Sequence, residues 1–145
     1  MQPPSRPEPT VVVIFGAGGD LTWRKLVPAL YNLDLDKWLP DRFSVIGVEG
    51  KPMTDDELRQ RLRQGVDRFS RRGKAEDETW NVFASCITCI AGDFADPATS
   101  AGLADRLATR EGAWGTGVNR VFYLATPPSV VAAIVDSDFS DCAVF

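Results

Sequence analysis

Residues 11–33, VVVIFGAGGDLTWRKLVPALYNL, constrain the fold of this chain more than any other stretch. They open on five apolar residues, Val11 to Phe15. A strand with one face in water alternates polar and apolar side chains. An unbroken run instead predicts a strand buried on both faces, as in parallel sheets covered by helices. Gly16, Gly18 and Gly19 follow at once, and then Leu26, Leu30 and Leu33 recur at helical spacing. Strand, glycine turn and helix in this order open a dinucleotide-binding unit. Gly16 and Gly18 fit the first two glycines of G-x-G-x-x-G, and Leu21 stands where the third would be. A turn without Cβ atoms lets the backbone come close to a pyrophosphate, and free N–H groups at the helix start face its charge.

Within this stretch Asp20 is predicted to cap the helix, its carboxylate accepting from free N–H groups. Pro28 lacks an N–H and crowds the preceding turn, so the regular helix either starts near Lys25 or bends there. Both options leave Arg24 and Lys25 near the helix start. Helix-dipole logic disfavours cations at that end, which points to a ligand role for the pair.

Further along, residues 43–48 read as a second strand, and Glu49-Gly50-Lys51-Pro52 as the loop after it. In a dinucleotide fold that loop lies by the adenosine ribose. An acid there suits the 2′-hydroxyl of NAD, and a base suits the 2′-phosphate of NADP. Glu49 and Lys51 offer one of each, so both coenzymes stay open. Thr54 with Glu57 forms a capping-box pattern ahead of a helix whose Leu58, Leu62, Val66 and Phe69 make an apolar stripe. The arginines around that stripe read as a solvated face, with Arg61 paired to Glu57. A short helix over 76–84 turns Trp80 and Phe83 inward. Residues 86–91 read as the third strand and 98–110 as an amphipathic helix, with Gly112, Gly115 and Gly117 breaking the chain after it. Residues 119–125 read as the fourth strand, and 129–136 as a last helix. The ending, DSDFSDCAVF, is predicted to break off where the next strand should come.

Composition removes several alternatives. The sequence contains no histidine, which excludes Ser-His-Asp and Cys-His chemistry within these 145 residues. Cys86 and Cys89 have C-x-x-C spacing, but Cys142 is the only other cysteine, too few ligands for a structural zinc site. The pair reads as two thiols packed in or beside a strand. A net charge of −4 argues against a nucleic-acid surface. No apolar run approaches the ~20 residues that span a bilayer, and the first ten residues lack the apolar core of a secretory signal. No membrane association and a cytoplasmic location are therefore expected. With four prolines and no bulky apolar residue beyond Met1, residues 1–10 read as a disordered lead-in.

Two stretches carry a family resemblance. GAGGDLTWRKLVPALYNL resembles the opening signature of glucose-6-phosphate dehydrogenases, G-A-S/T-G-D-L-A-x-R-K-L-x-P-A-L-x-x-L, with Gly18 in place of Ser or Thr and Thr22 in place of Ala. NRVFYLATPPSVV resembles the same family's N-R-x-F-Y-L-A-x-P-P pattern. The resemblance implies an α/β fold: a Rossmann-like parallel sheet with helices on both faces, incomplete without a C-terminal α+β domain. Residues 11–145 would form the NAD(P)-binding domain, itself incomplete at its C-terminus. Gly16, Ala17, Gly18, Gly19, Asp20 and Leu21 would cradle the pyrophosphate. Glu49 and Lys51 would lie by the ribose, and Ala125, Pro127 and Pro128 would line the nicotinamide side. Lys25 matches a family lysine at the substrate edge, the one catalytic-class residue present.

The implied function is the coenzyme-binding part of an oxidoreductase that converts glucose 6-phosphate to its lactone with NADP. That reaction is the first step of the oxidative pentose phosphate pathway. The family arginine expected near Gly50 is absent, which keeps NAD in view. The family's Glu-Lys-Pro motif, sugar-phosphate motif and general-base histidine do not occur in this sequence, so the 145 residues alone are expected to be inactive. The resemblance also implies a homo-oligomeric full-length enzyme. The competing readings are a non-enzymatic NAD(P)-binding sensor and an extended reductase. The latter lacks its Tyr-x-x-x-Lys pair here, since Leu35 and Pro127 stand four places after the two tyrosines.

Overall fold

The computed structural model describes residues 8–93, 96–115, 118–125 and 143–144. Five parallel strands form one sheet in the order β3-β2-β1-β4-β5. They are β1 (Thr10–Phe15), β2 (Phe43–Glu49), β3 (Ile87–Ala91), β4 (Asn119–Leu124) and β5 (Ala143–Val144). β1 lies at the centre, Val13 opposite Ile46 on one side and Phe122 on the other. Its residues alternate between two cores. Val12 and Ile14 face one, Val11, Val13 and Phe15 the other, and all five are buried. The unbroken apolar run thus means what its composition predicts.

Crossover helices cover both faces. α1 (Val27–Leu35), α2 (Asp55–Phe69) and α3 (Asp77–Ala84) pack on the Val12–Ile14 face through Val27, Tyr31, Leu58, Leu62, Val66, Trp80 and Phe83. On the opposite face α4 (Pro97–Trp114) contributes Leu103 and Leu107. Thr54 Oγ1 accepts from the Glu57 N–H at 3.1 Å, the predicted cap of α2. Asp96 caps α4 in the same way, accepting from the Ala98 N–H at 2.9 Å.

Several expectations need correction. Where the next strand is expected, Ala143 and Val144 pair with Val121 and Phe122 as a two-residue parallel edge strand. Gly112 does not break α4, because one glycine costs only about 1 kcal/mol in a long helix. Instead α4 ends at Gly115, which takes the left-handed conformation, φ 71°, that ends many helices. The arginines on α2 are not merely a solvated face. Arg59 donates twice to the Ile87 carbonyl, Arg63 donates to the Ala75 carbonyl, and Arg61 reaches Gly18 rather than Glu57. The predicted helix over 129–136 lies outside the described residues, as does most of the proline-rich lead-in.

Candidate functional site

The glycine turn leaves the C-terminal end of β1, where the strand order reverses between β2 and β4. In open parallel sheets that crevice is where ligands bind. The turn is held by its own backbone. Gly16 has φ 85°, which favours a residue without Cβ. The Gly16 and Ala17 N–H groups both donate to the Val48 carbonyl, at 2.9 and 3.3 Å. The Gly16 carbonyl accepts from the Gly19 N–H at 2.9 Å and from the fully buried Thr22 hydroxyl at 3.1 Å. Thr22 therefore clamps the turn, a role that its single departure from the family pattern did not reveal.

The helix begins one residue earlier than predicted. Its first bond runs from the Trp23 N–H to the Gly19 carbonyl, 3.2 Å. Gly19 is therefore the cap, and Asp20, Leu21 and Thr22 carry the orphan N–H groups of the first turn. These three N–H groups have no acceptor among the described residues. Asp20 is not the predicted side-chain cap: it stands inside the first turn, exposed, with its carboxylate 3.1 Å from Arg24. Leu21 and Lys25 are exposed, and Lys25 has no ion-pair partner among the described residues.

Residues Thr22–Leu26 form a π-helical turn, closed by the Val27 N–H donating to the Thr22 carbonyl. This wide turn absorbs Pro28, whose ring would crowd a regular α-turn. The helix therefore runs on through the π-turn into α1 rather than starting afresh at Lys25. The turn also pushes Trp23 against α2, where a Cβ on Gly65 would lie 2.2 Å from the Trp23 carbonyl oxygen. Arg61 lies over the Trp23 ring at 4.9 Å and donates from Nε to the Gly18 carbonyl at 2.6 Å. Arg24 lies over Phe69 at 5.1 Å. Arg24 is thus occupied by Asp20 and Phe69, while Lys25 stays open.

At the end of β2, Glu49 turns toward the glycine turn. Its Oε2 accepts from the Gly18 N–H at 2.8 Å and its Oε1 from the Gly50 N–H at 3.0 Å. Lys51 is exposed. At the end of β4, the Ala125 N–H donates to the Phe15 carbonyl at 2.9 Å, and its carbonyl lies 3.8 Å from where a Cβ on Gly19 would be. The structure thus gathers Gly16 to Leu21, Glu49 and Ala125 around one crevice. Pro127 and Pro128 lie outside the described residues. A turn without side chains, three free N–H groups on a helix start and an acid at the end of β2 together fit a nicotinamide dinucleotide.

The C-x-x-C pair builds no site. Cys89 is buried within β3, and burial, followed by the charge of Asp55, pushes its thiol up to about 11. Burial also raises the Cys86 thiol. Neither is poised as a thiolate. Among the described residues there is no cluster of three or more metal-ligating side chains.

The family model described as "Glucose-6-phosphate dehydrogenase, NAD binding domain" matches residues 13–139. The chain belongs to the glucose-6-phosphate dehydrogenase family. It is 41% identical over 123 residues to the glucose-6-phosphate 1-dehydrogenase of Aggregatibacter actinomycetemcomitans, covering 85% of this chain and 24% of that one. The enzyme of Chlamydia muridarum is 35% identical over 127 residues, covering 88% and 25%. A solved glucose-6-phosphate dehydrogenase in complex with its substrate glucose-6-phosphate superposes with a TM-score of 0.80 at 28% identity, over 92% of this chain and 27% of that one. The chain thus spans about a quarter of the length of these dehydrogenases.

Proposed function

We propose that this chain is the coenzyme-binding part of a glucose-6-phosphate dehydrogenase. The observation that carries the reading is the crevice between β1 and β4, where a helix start without a side-chain cap offers the N–H groups of Asp20, Leu21 and Thr22. These groups bind the pyrophosphate, and the helix dipole adds to their attraction. Residues 11–145 act as the NAD(P)-binding unit, with Gly16, Ala17, Gly18 and Gly19 keeping the cradle free of side chains. Ala125, Pro127 and Pro128 line the nicotinamide side. The coenzyme when bound supplies the hydride acceptor for C1 of the sugar. The family resemblance favours NADP for this coenzyme, and Glu49 keeps NAD in view.

Lys25, exposed on the first turns of the helix, helps hold the sugar at the substrate edge. No histidine in these residues can take the C1 hydroxyl proton, so residues 1–145 bind coenzyme without turning over substrate. Among the described residues no helix is long and apolar enough to cross a membrane. The same reading places the enzyme in the cytoplasm as a homo-oligomer. The test compares the gene's entire reading frame with residues 1–145. Glucose-6-phosphate-dependent coenzyme reduction by the former, and coenzyme binding without reduction by the latter, are expected. Coenzyme binding by neither would contradict the reading.

A further inference from the structure

We infer that the pairing of Glu49 with Gly18 makes this coenzyme site select NAD over NADP. The inference rests on the proposed coenzyme-binding role and goes beyond it, because the family resemblance implies NADP. The Glu49 carboxylate does not point into solvent as a loose loop acid would. Both of its oxygens are fixed by backbone donors, Oε2 by Gly18 and Oε1 by Gly50. It is therefore placed before any ligand arrives, at the end of β2, where the adenosine ribose lies in a dinucleotide fold. Each carboxylate oxygen keeps a lone pair for a ribose hydroxyl. A 2′-phosphate would instead meet a fixed negative charge.

Residue 18 matters for the same reason. A Cβ there would lie 2.7 Å from Glu49 Oε2 and 3.1 Å from the Met53 methyl. The serine or threonine of the family pattern would displace the carboxylate from its seat. Glycine at 18 and glutamate at 49 are thus matched, although 31 residues separate them. The cations nearby do not offset the acid. Lys51 is exposed, with no hydrogen bond or ion pair among the described residues, and Arg61 is held at the Gly18 carbonyl and stacked on Trp23.

The test is calorimetric titration of the full chain with NAD and with NADP, for the wild type, Glu49→Gln and Gly18→Ala. The wild type is expected to bind NAD about tenfold tighter than NADP. Glu49→Gln removes the charge and should shift that ratio about tenfold toward NADP. Gly18→Ala keeps the charge but unseats it, and should shift the ratio in the same direction by a smaller factor. Equal or tighter binding of NADP by the wild type overturns this inference while leaving the coenzyme site standing. So does a ratio that neither variant moves. Binding of neither coenzyme by the wild type overturns the site itself and this inference with it.

Discussion

The end of β1 and the start of β3 carry the two short motifs that invite a chemical reading, and they have opposite fates. At the end of β1, Gly16 to Thr22 spends most of its backbone groups on holding its own shape, and three N–H groups are left over. Around β3, the backbone of the C-x-x-C segment is drawn into pairing on both edges, and the Thr88 hydroxyl, which has no hydrogen-bond partner among the described residues, is buried rather than facing a crevice. Its strand pairs with β2, the Cys89 N–H donates to Asp55, and the Cys89 carbonyl accepts from Arg106. Polar groups left without partners at the mouth of a crevice mark a site. Thiols buried in a strand whose backbone is paired mark a core.

The contrast also lies in how each region is supported. The glycine turn depends on distant pieces: Val48 and Glu49 from β2, and Arg61 and Gly65 from α2. The largest way to break the comparison is therefore Gly65→Ala. The added methyl would strike the Trp23 backbone, which cannot give way as a side-chain tip can. We expect a loss of about 3 kcal/mol in urea unfolding, typical of overpacking against a rigid neighbour, and a drop in coenzyme affinity with it. An unchanged midpoint would detach the turn from α2.

A smaller effect comes from Thr22→Val, which keeps the buried shape but removes the hydroxyl bonded to Gly16. The cost should be about 1 kcal/mol of stability, the usual net worth of one hydrogen bond. Coenzyme affinity should fall by a larger share than stability, because the clamp shapes the cradle. Equal affinity would show that the turn keeps its form without it.

The smallest effect sharpens the other side of the comparison. Cys89 keeps its proton to about 11 in the folded chain, against an ordinary thiol range near 8.5 when unfolded. The raised folded value means that its contribution to stability is intact below the unfolded value. That contribution is lost as pH rises through the window up to about 11. Iodoacetamide at pH 8 should therefore label Cys89 far more slowly in folded than in urea-unfolded chain. Equal rates would argue that the thiol is accessible and that the C-x-x-C segment is more than core.

What could be read from the sequence followed the range of the interaction. The buried β1, the glycine turn, the capped α2 and the inward Trp80 and Phe83 are all written in windows shorter than twenty residues, through periodicity and turn chemistry. The seat of Glu49 on Gly18 joins residues 31 apart, and the Arg61 bond to Gly18 joins residues 43 apart. No local pattern signals such contacts. At the helix start an acid after glycines looks like a cap, but Gly19, not Asp20, supplies the first carbonyl. The arginines of α2 looked like a charged surface because spacing shows which face a residue takes but not which carbonyl lies within reach of its long side chain.

The most direct measurement is amide NMR of the 15N-labelled chain titrated with ADP-ribose, which carries the pyrophosphate and adenosine without the nicotinamide. Saturable shifts at the Asp20, Leu21 and Thr22 amides, with Ile87 to Ala91 largely unmoved, are the predicted result. Shifts concentrated in β3, or none at the glycine turn at saturating ligand, would contradict the assignment of the coenzyme cradle to the end of β1.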